Sequence, residues 1–136
     1  MTIFVDASAI VAMVAKEPEA GPFAQYLSVE TDRITSPVAL WESVRAVARA
    51  RGVEIAEARG LVLDLLRDAA IRMVPIGFEE GELAIEAHER YGRGVHEADL
   101  NMGDCFAYAC TRRHGAEIMF KGNDFIHTDL PDAMLP

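Results

Sequence analysis

Basic residues are in short supply: 13 Lys and Arg stand against 22 Asp and Glu, a formal charge of −9 over 136 residues. Non-specific nucleic-acid affinity ordinarily comes from Lys and Arg neutralising phosphates, so bulk charge alone does not recruit such a partner here. Cysteine is nearly absent. Cys105 and Cys110 are the two present, five apart on one expected helix and pointing in different directions, which argues against a mutual disulfide. No CxxC pair exists and His96 and His114 add no supporting pattern, so structural zinc is not indicated, and the two thiols read as core. Long apolar runs are also missing. No stretch reaches the length of a membrane span, and the N-terminus lacks a basic region leading into an apolar segment, so a cytoplasmic location without membrane contact is the expectation. Repeats and low-complexity linkers are absent too, and 51% hydrophobic residues suit a single domain, 1–136, with a substantial core.

What is present is a set of acids at the apparent ends of secondary-structure elements. Thr2-Ile3-Phe4-Val5 reads as a buried strand, closed by Asp6. The apolar stretch Ile10 to Ala15 follows with helix-like extent, and Ser8 is placed to cap that helix. Arg33-Ile34-Thr35 reads as a second strand, with Ser36 as N-cap and Pro37 in the first helical position. Glu42 lies in the second turn of that helix among Val38, Ala39, Leu40 and Trp41, where an unpaired charge is costly and Arg45 is an available partner. Further on, Asn101 is positioned to cap a helix running to about Arg113, with Asp104 completing a capping-box-like pair and Gly115 offering a left-handed stop. Glu117 to Phe120 reads as the last strand, followed by Lys121-Gly122-Asn123-Asp124. In open parallel sheets ligands bind at the edge that these strand ends form.

Asp6, Glu42, Asp104 and Asp124 together suit a hard divalent cation such as Mg²⁺ or Mn²⁺, which prefers carboxylate and water oxygens and leaves room for substrate phosphate. A cation so held orients a phosphodiester and neutralises charge on the attacking and leaving oxygens.

At these residues the chain resembles the PIN-domain ribonucleases, specifically the VapC-type toxins of toxin-antitoxin pairs. The resemblance spans nearly the whole chain. Its most specific part runs from Gly92-Arg93-Gly94-Val95-His96 through Leu100-Asn101-Met102-Gly103-Asp104-Cys105 to Phe106-Ala107-Tyr108-Ala109, then Phe120-Lys121-Gly122-Asn123-Asp124-Phe125 and Thr128-Asp129. Val5-Asp6-Ala7-Ser8-Ala9 matches the family's start, and Glu42 its second-helix acid. The resemblance implies a PIN-like three-layer α/β/α sandwich with a mostly parallel central sheet, and a metal-dependent endoribonuclease that leaves a 5′-phosphate and a 3′-hydroxyl. It implies Asp6 and Asp104 as direct metal ligands, Asp124 as a ligand directly or through water, Glu42 as ligand or water-positioning group, and Ser8 and Asn101 as supporting residues or merely caps. Asp124 and Asp129 are five apart, and either could face the metal; Asp124 is preferred. Glu97 and Asp99 depart from the family pattern and read as surface acids. The implied partners are a structured RNA such as tRNA or rRNA, a second copy of the chain, and a small antitoxin whose extended segment covers a helical groove. Val38, Leu40, Trp41, Val47 and Leu61 to Leu66 are positions for such contacts or, equally, for the core, with core the choice for Trp41. His96 reads as a loop-stabilising residue rather than a catalytic one.

The remaining elements are short or amphipathic: helices over Phe23 to Leu27, Ile55 to Ala69 and Phe78 to Tyr91, and a strand over Ile71 to Ile76. Alternation of strands and helices independently gives an α/β fold with helices on both faces. A phosphorelay receiver would need an acceptor aspartate on a central strand, and Ile71 to Ile76 contains none; a haloacid-dehalogenase phosphatase would need an aspartate where Ser8 stands. A catalytically silent PIN-like module that binds RNA or a partner is the remaining alternative.

Overall fold

The computed structural model describes residues 1–29 and 32–135. Among them four strands form one sheet: β1 (Thr2–Val5), β2 (Asp32–Thr35), β3 (Arg72–Met73) and β4 (Glu117–Met119). The order is β3-β2-β1-β4 and every pairing is parallel, with Phe4 opposite Ile34 on one side and Ile118 on the other. From β1 the chain steps outward to β2 and β3, then crosses back so that β4 flanks β1 on the opposite side. The order therefore reverses between β1 and β4, and the crevice beyond their C-terminal ends is where such sheets bind ligands.

Strand periodicity divides the core in two. Ile3, Val5 and Met119 point into one cluster with Ile10, Phe23, Leu27, Val47 and Val62. That layer comes from α1 (Ala7–Val14), α2 (Ala20–Val29), α3 (Pro37–Arg51) and α4 (Ile55–Asp68). Phe4, Ile34 and Ile118 point the other way, against Val74, Tyr91, Leu100 and Tyr108 of a layer dominated by α5 (Phe78–Tyr91) and α6 (Met102–Arg113). Consecutive β1 residues are thus buried on opposite faces, as a parallel sheet covered on both sides requires. The three-layer α/β/α expectation is met.

Local chemistry fixes the helix ends. Ser36 caps α3 by accepting from Ala39 N, and Pro37 occupies the first turn. Gly115, at φ +59°, supplies the left-handed residue after α6. Two elements differ from the sequence expectation. The third strand is only Arg72–Met73: Val74 N still donates to Thr35 O, but Pro75 has no N–H with which to continue. The helix near Phe23 extends to Ala20–Val29, its buried residues being Phe23 and Leu27. Trp41 also departs from expectation: its side chain is 57% exposed rather than core, and the Arg45 guanidinium lies 4.7 Å from its ring centroid.

Candidate active site

Asp6 follows β1 directly and is 5% exposed. It, and not Ser8, is the N-cap of α1, since its carboxylate accepts from Ser8 N at 3.0 Å and from Ser8 Oγ at 2.6 Å. A carboxylate accepts hydrogen bonds more strongly than a hydroxyl, and it takes the cap position by starting the helix two residues earlier, at Ala7. Ser8 instead ties the site together, because its Oγ also accepts from Lys121 N, just beyond β4, at 2.9 Å. The two neighbouring strand ends are thereby joined through one hydroxyl.

Asp104 is 9% exposed in the first turn of α6. Its Oδ2 accepts from Asn101 N at 3.1 Å while Asn101 Oδ1 accepts from Asp104 N at 2.8 Å, the reciprocal capping box expected from the sequence. Glu42 approaches from α3 across Gly103. A Cβ at position 103 would overlap the Glu42 carboxylate, so α6 admits this acid only because glycine stands there. Glu42 makes no salt bridge with Arg45, whose guanidinium is engaged with Trp41 instead.

The acids share one field. Burial, reinforced by Asp6 and Asp104, pushes Glu42 up to about 7. Burial, reinforced by Asp6 and Asp124, likewise raises Asp104 to about 7 against the opposing Asn101 N–H. Asp6 is raised by burial, with Ser8 opposing and Asp124 adding repulsion. Asp124 is raised by burial and by the nearby Asp99, with Arg93 opposing. Asp124 is held on a segment anchored by the buried Phe125, whose ring meets Phe120 edge-on at 5.3 Å. Asp129 lies elsewhere: it accepts from Tyr108 Oη at 2.7 Å and pairs with Arg112 at 2.9 Å. Of the two C-terminal acids, it is Asp124 whose charge reaches Asp6 and Asp104.

Among the described residues no three His, Cys, Asp or Glu side chains are gathered tightly enough to enclose an ion as they stand. The donor chemistry nonetheless fits a hard cation. Asp6, Glu42, Asp104 and Asp124 are all-oxygen donors and none has an ion-pair partner among the described residues, so their mutual repulsion is offset only by the more distant charge of Arg93 on Asp104 and Asp124. Glu97 and Asp99 are exposed, as expected, although Asp99 is close enough to raise Asp124. His96 serves its loop, Nδ1 accepting from Ala98 N at 3.0 Å. Gly103 and Asp99 were not recognisable as site neighbours from spacing, because both matter only through the partner that folding brings opposite them.

The PIN domain family model matches residues 3–130. The chain belongs to the PIN-domain family of VapC ribonucleases. It is 36% identical over 133 residues to ribonuclease VapC30 of Mycobacterium tuberculosis, covering 97% of this chain and 98% of that one. It is 37% identical over 139 residues to VapC ribonuclease R02377 of Rhizobium meliloti, covering 93% and 98%. The crystal structure of Mycobacterium tuberculosis VapC20, a sarcin-ricin loop cleaving toxin, shares the fold with a TM-score of 0.75 at 20% identity, covering 95% of this chain and 96% of that one. In this VapC-family chain, no helix among the described residues is long and apolar enough to cross a membrane. The acids emerge at the crevice between β1 and β4, with Asp6 leaving β1 and the segment bearing Asp124 following β4.

Proposed function

We propose that this VapC-type endoribonuclease hydrolyses RNA phosphodiester bonds at a Mg²⁺ or Mn²⁺ centre held by Asp6, Glu42, Asp104 and Asp124. The observation carrying this reading is the convergence, at the sheet's reversal point, of mutually repelling carboxylates that have no ion-pair partner among the described residues. When bound, the cation supplies positive charge against the phosphate and acidifies water at the site. Asp6 and Asp104 offer oxygens fixed by Ser8 and by the α6 capping box, so they hold their positions while substrate enters. Glu42, brought against α6 at Gly103, is placed to hold the cation or to position the attacking water and take its proton. Asp124, on the more open side, completes the ring of donors. Ser8 and Asn101 orient these acids and do not touch the substrate.

The substrate in this reading is a structured RNA such as tRNA or rRNA, met in the cytoplasm by a single PIN domain spanning residues 1–136. A small antitoxin fits the apolar cleft between α3 and α4 lined by Leu40, Val44 and Ile55. A homodimer is supported by exposed Ile85 and Met102 along a largely apolar cleft between α5 and α6. The test is incubation of purified protein with total bacterial RNA, with and without Mg²⁺ or Mn²⁺, and sequencing of new 5′ ends. Cuts confined to a few sites, dependent on the cation, are expected. Asp6→Ala and Asp104→Asn should lower the cleavage rate by more than about a hundredfold, beyond the loss typical of outer-shell partners. Wild-type cutting by Asp104→Asn at saturating Mn²⁺ would remove these acids from the site.

A further inference from the structure

The chain's charge poses a question that the acid centre leaves open: how a protein of formal charge −9 holds a polyanion. Most of its basic side chains are committed. Arg90 and Arg112 pair with Asp129, Arg93 with Asp99, Arg113 with Glu79, Arg72 with Asp32, Arg67 with Asp64, and Lys121 with Glu17 and Glu19. Lys16, Arg51 and Arg59 also stand outside these pairs, but Arg45 and Arg49 differ in lining the cleft beside the acid centre. Both are exposed and neither has an acidic partner among the described residues.

These two arginines follow Trp41 on α3 at successive intervals of four residues, so the three form a single ridge about 12 Å long. All three line a cleft of about 540 Å³ together with Ser8, Glu42 and Lys121. One end of the ridge therefore adjoins the acid centre itself, since Ser8 bonds Asp6 and Glu42 is one of the four acids. The indole is the largest exposed ring on this helix, and the Arg45 guanidinium braces it at 4.7 Å. Unpaired guanidiniums with an open aromatic face, aligned beside a phosphodiester-cleaving centre, are the chemistry of a single-strand track.

We infer that the Trp41, Arg45 and Arg49 ridge seats the single-stranded RNA flanking the cleaved bond, the guanidiniums pairing with phosphates and the indole stacking on a base. This rests on the endoribonuclease reading above and adds to it the path of the substrate. The ridge is long enough to follow a short run of backbone rather than a single phosphate. It also explains how a strongly acidic chain is compatible with RNA, since attraction is local to a ridge beside the acid centre.

Trp41 is the chain's only tryptophan, so its emission reports on the ridge directly. Titration of Asp104→Asn protein with a short single-stranded oligouridylate in Mg²⁺ separates binding from cleavage. Saturable quenching of Trp41 emission is expected. Trp41→Ala should weaken binding, followed by anisotropy of a labelled oligonucleotide, about fivefold to a hundredfold, and Trp41→Phe should recover most of it. Replacing Arg45 and Arg49 together with alanine should flatten the dependence of log affinity on log salt by about 1.4, two phosphate contacts' worth for a single strand. In otherwise wild-type protein, the same changes should raise KM for RNA cleavage with a smaller effect on kcat. RNA binding with unchanged emission and an unchanged salt slope would overturn the track and leave the ridge to a protein partner. Cleavage by the ridge variants at wild-type KM would overturn it while the endoribonuclease stands. Failure of the wild-type chain to cleave any RNA, with quenching intact, would remove the endoribonuclease and keep the ridge as an RNA-binding surface.

Discussion

At the scale of single residues, the least conspicuous side chain of the centre makes the sharpest claim. Gly103 lies within α6, where glycine is normally unfavourable by about 1 kcal/mol relative to alanine. It is tolerated because the Glu42 carboxylate occupies the space a methyl group would fill. Gly103→Ala should therefore separate stability from activity. The helix gains propensity, the flexible end of Glu42 swings aside, and the melting temperature stays within a few degrees of wild type. The cleavage rate should drop at least about tenfold, because a proton acceptor or ligand moved by even a small distance loses its alignment. A folded Gly103→Ala protein that cuts RNA at the wild-type rate would show that the position of Glu42 is immaterial to the reaction.

At the scale of elements, the capping chemistry was the most legible part of the sequence, because a cap is a local contract between residues a few positions apart. Ser36-Pro37 and Asn101 with Asp104 could be read directly, and both appear where expected. The first helix misled for an equally local reason: Asp6 and Ser8 are both good caps, and the stronger acceptor took the position, freeing the hydroxyl to bridge to Lys121 N, 113 residues away. Long-range partners of that kind have no signature in spacing. The exposure of Trp41 belongs to the same class, since an indole among apolar neighbours reads as core until the packing of α3 against α4 shows which side of the helix faces out. The α6 cap yields its own prediction. Asn101→Ala removes the acceptor for Asp104 N and should destabilise the protein by about 1 kcal/mol, seen as a lower midpoint in urea denaturation with unchanged slope; Asn101→Ser should restore most of it. Because the Asn101 N–H that holds Asp104 is a backbone group, cleavage should fall less than about tenfold. A loss as deep as that of Asp104→Asn would make Asn101 part of the reacting centre instead of its support.

At the scale of the whole molecule, the four acids couple folding to pH and to cation binding. Their folded-state pKa values are all raised, so between about pH 4, where free carboxylates titrate, and about 7, where Glu42 and Asp104 do, the folded chain binds more protons than the unfolded one. Stability must then fall as pH rises through that window, the reverse of the trend produced by an ion-paired carboxylate such as Asp32, whose contribution is lost only in stronger acid. A divalent cation that binds only the folded state offsets the loss, and because it needs deprotonated carboxylates its stabilising effect should grow with pH. Calorimetry in EDTA should accordingly give a lower melting temperature near pH 8 than near pH 5, with Mg²⁺ or Mn²⁺ recovering more at the higher pH. General repulsion within a chain of charge −9 works in the same direction, so the site's share is isolated by Glu42→Gln, which removes one repelling acid and leaves the surface nearly unchanged. That variant should show a shallower decline in EDTA and a smaller gain from the cation. If its decline matches that of wild type, the pH dependence arises from the surface as a whole, and the buried acids do not carry the coupling assigned to them.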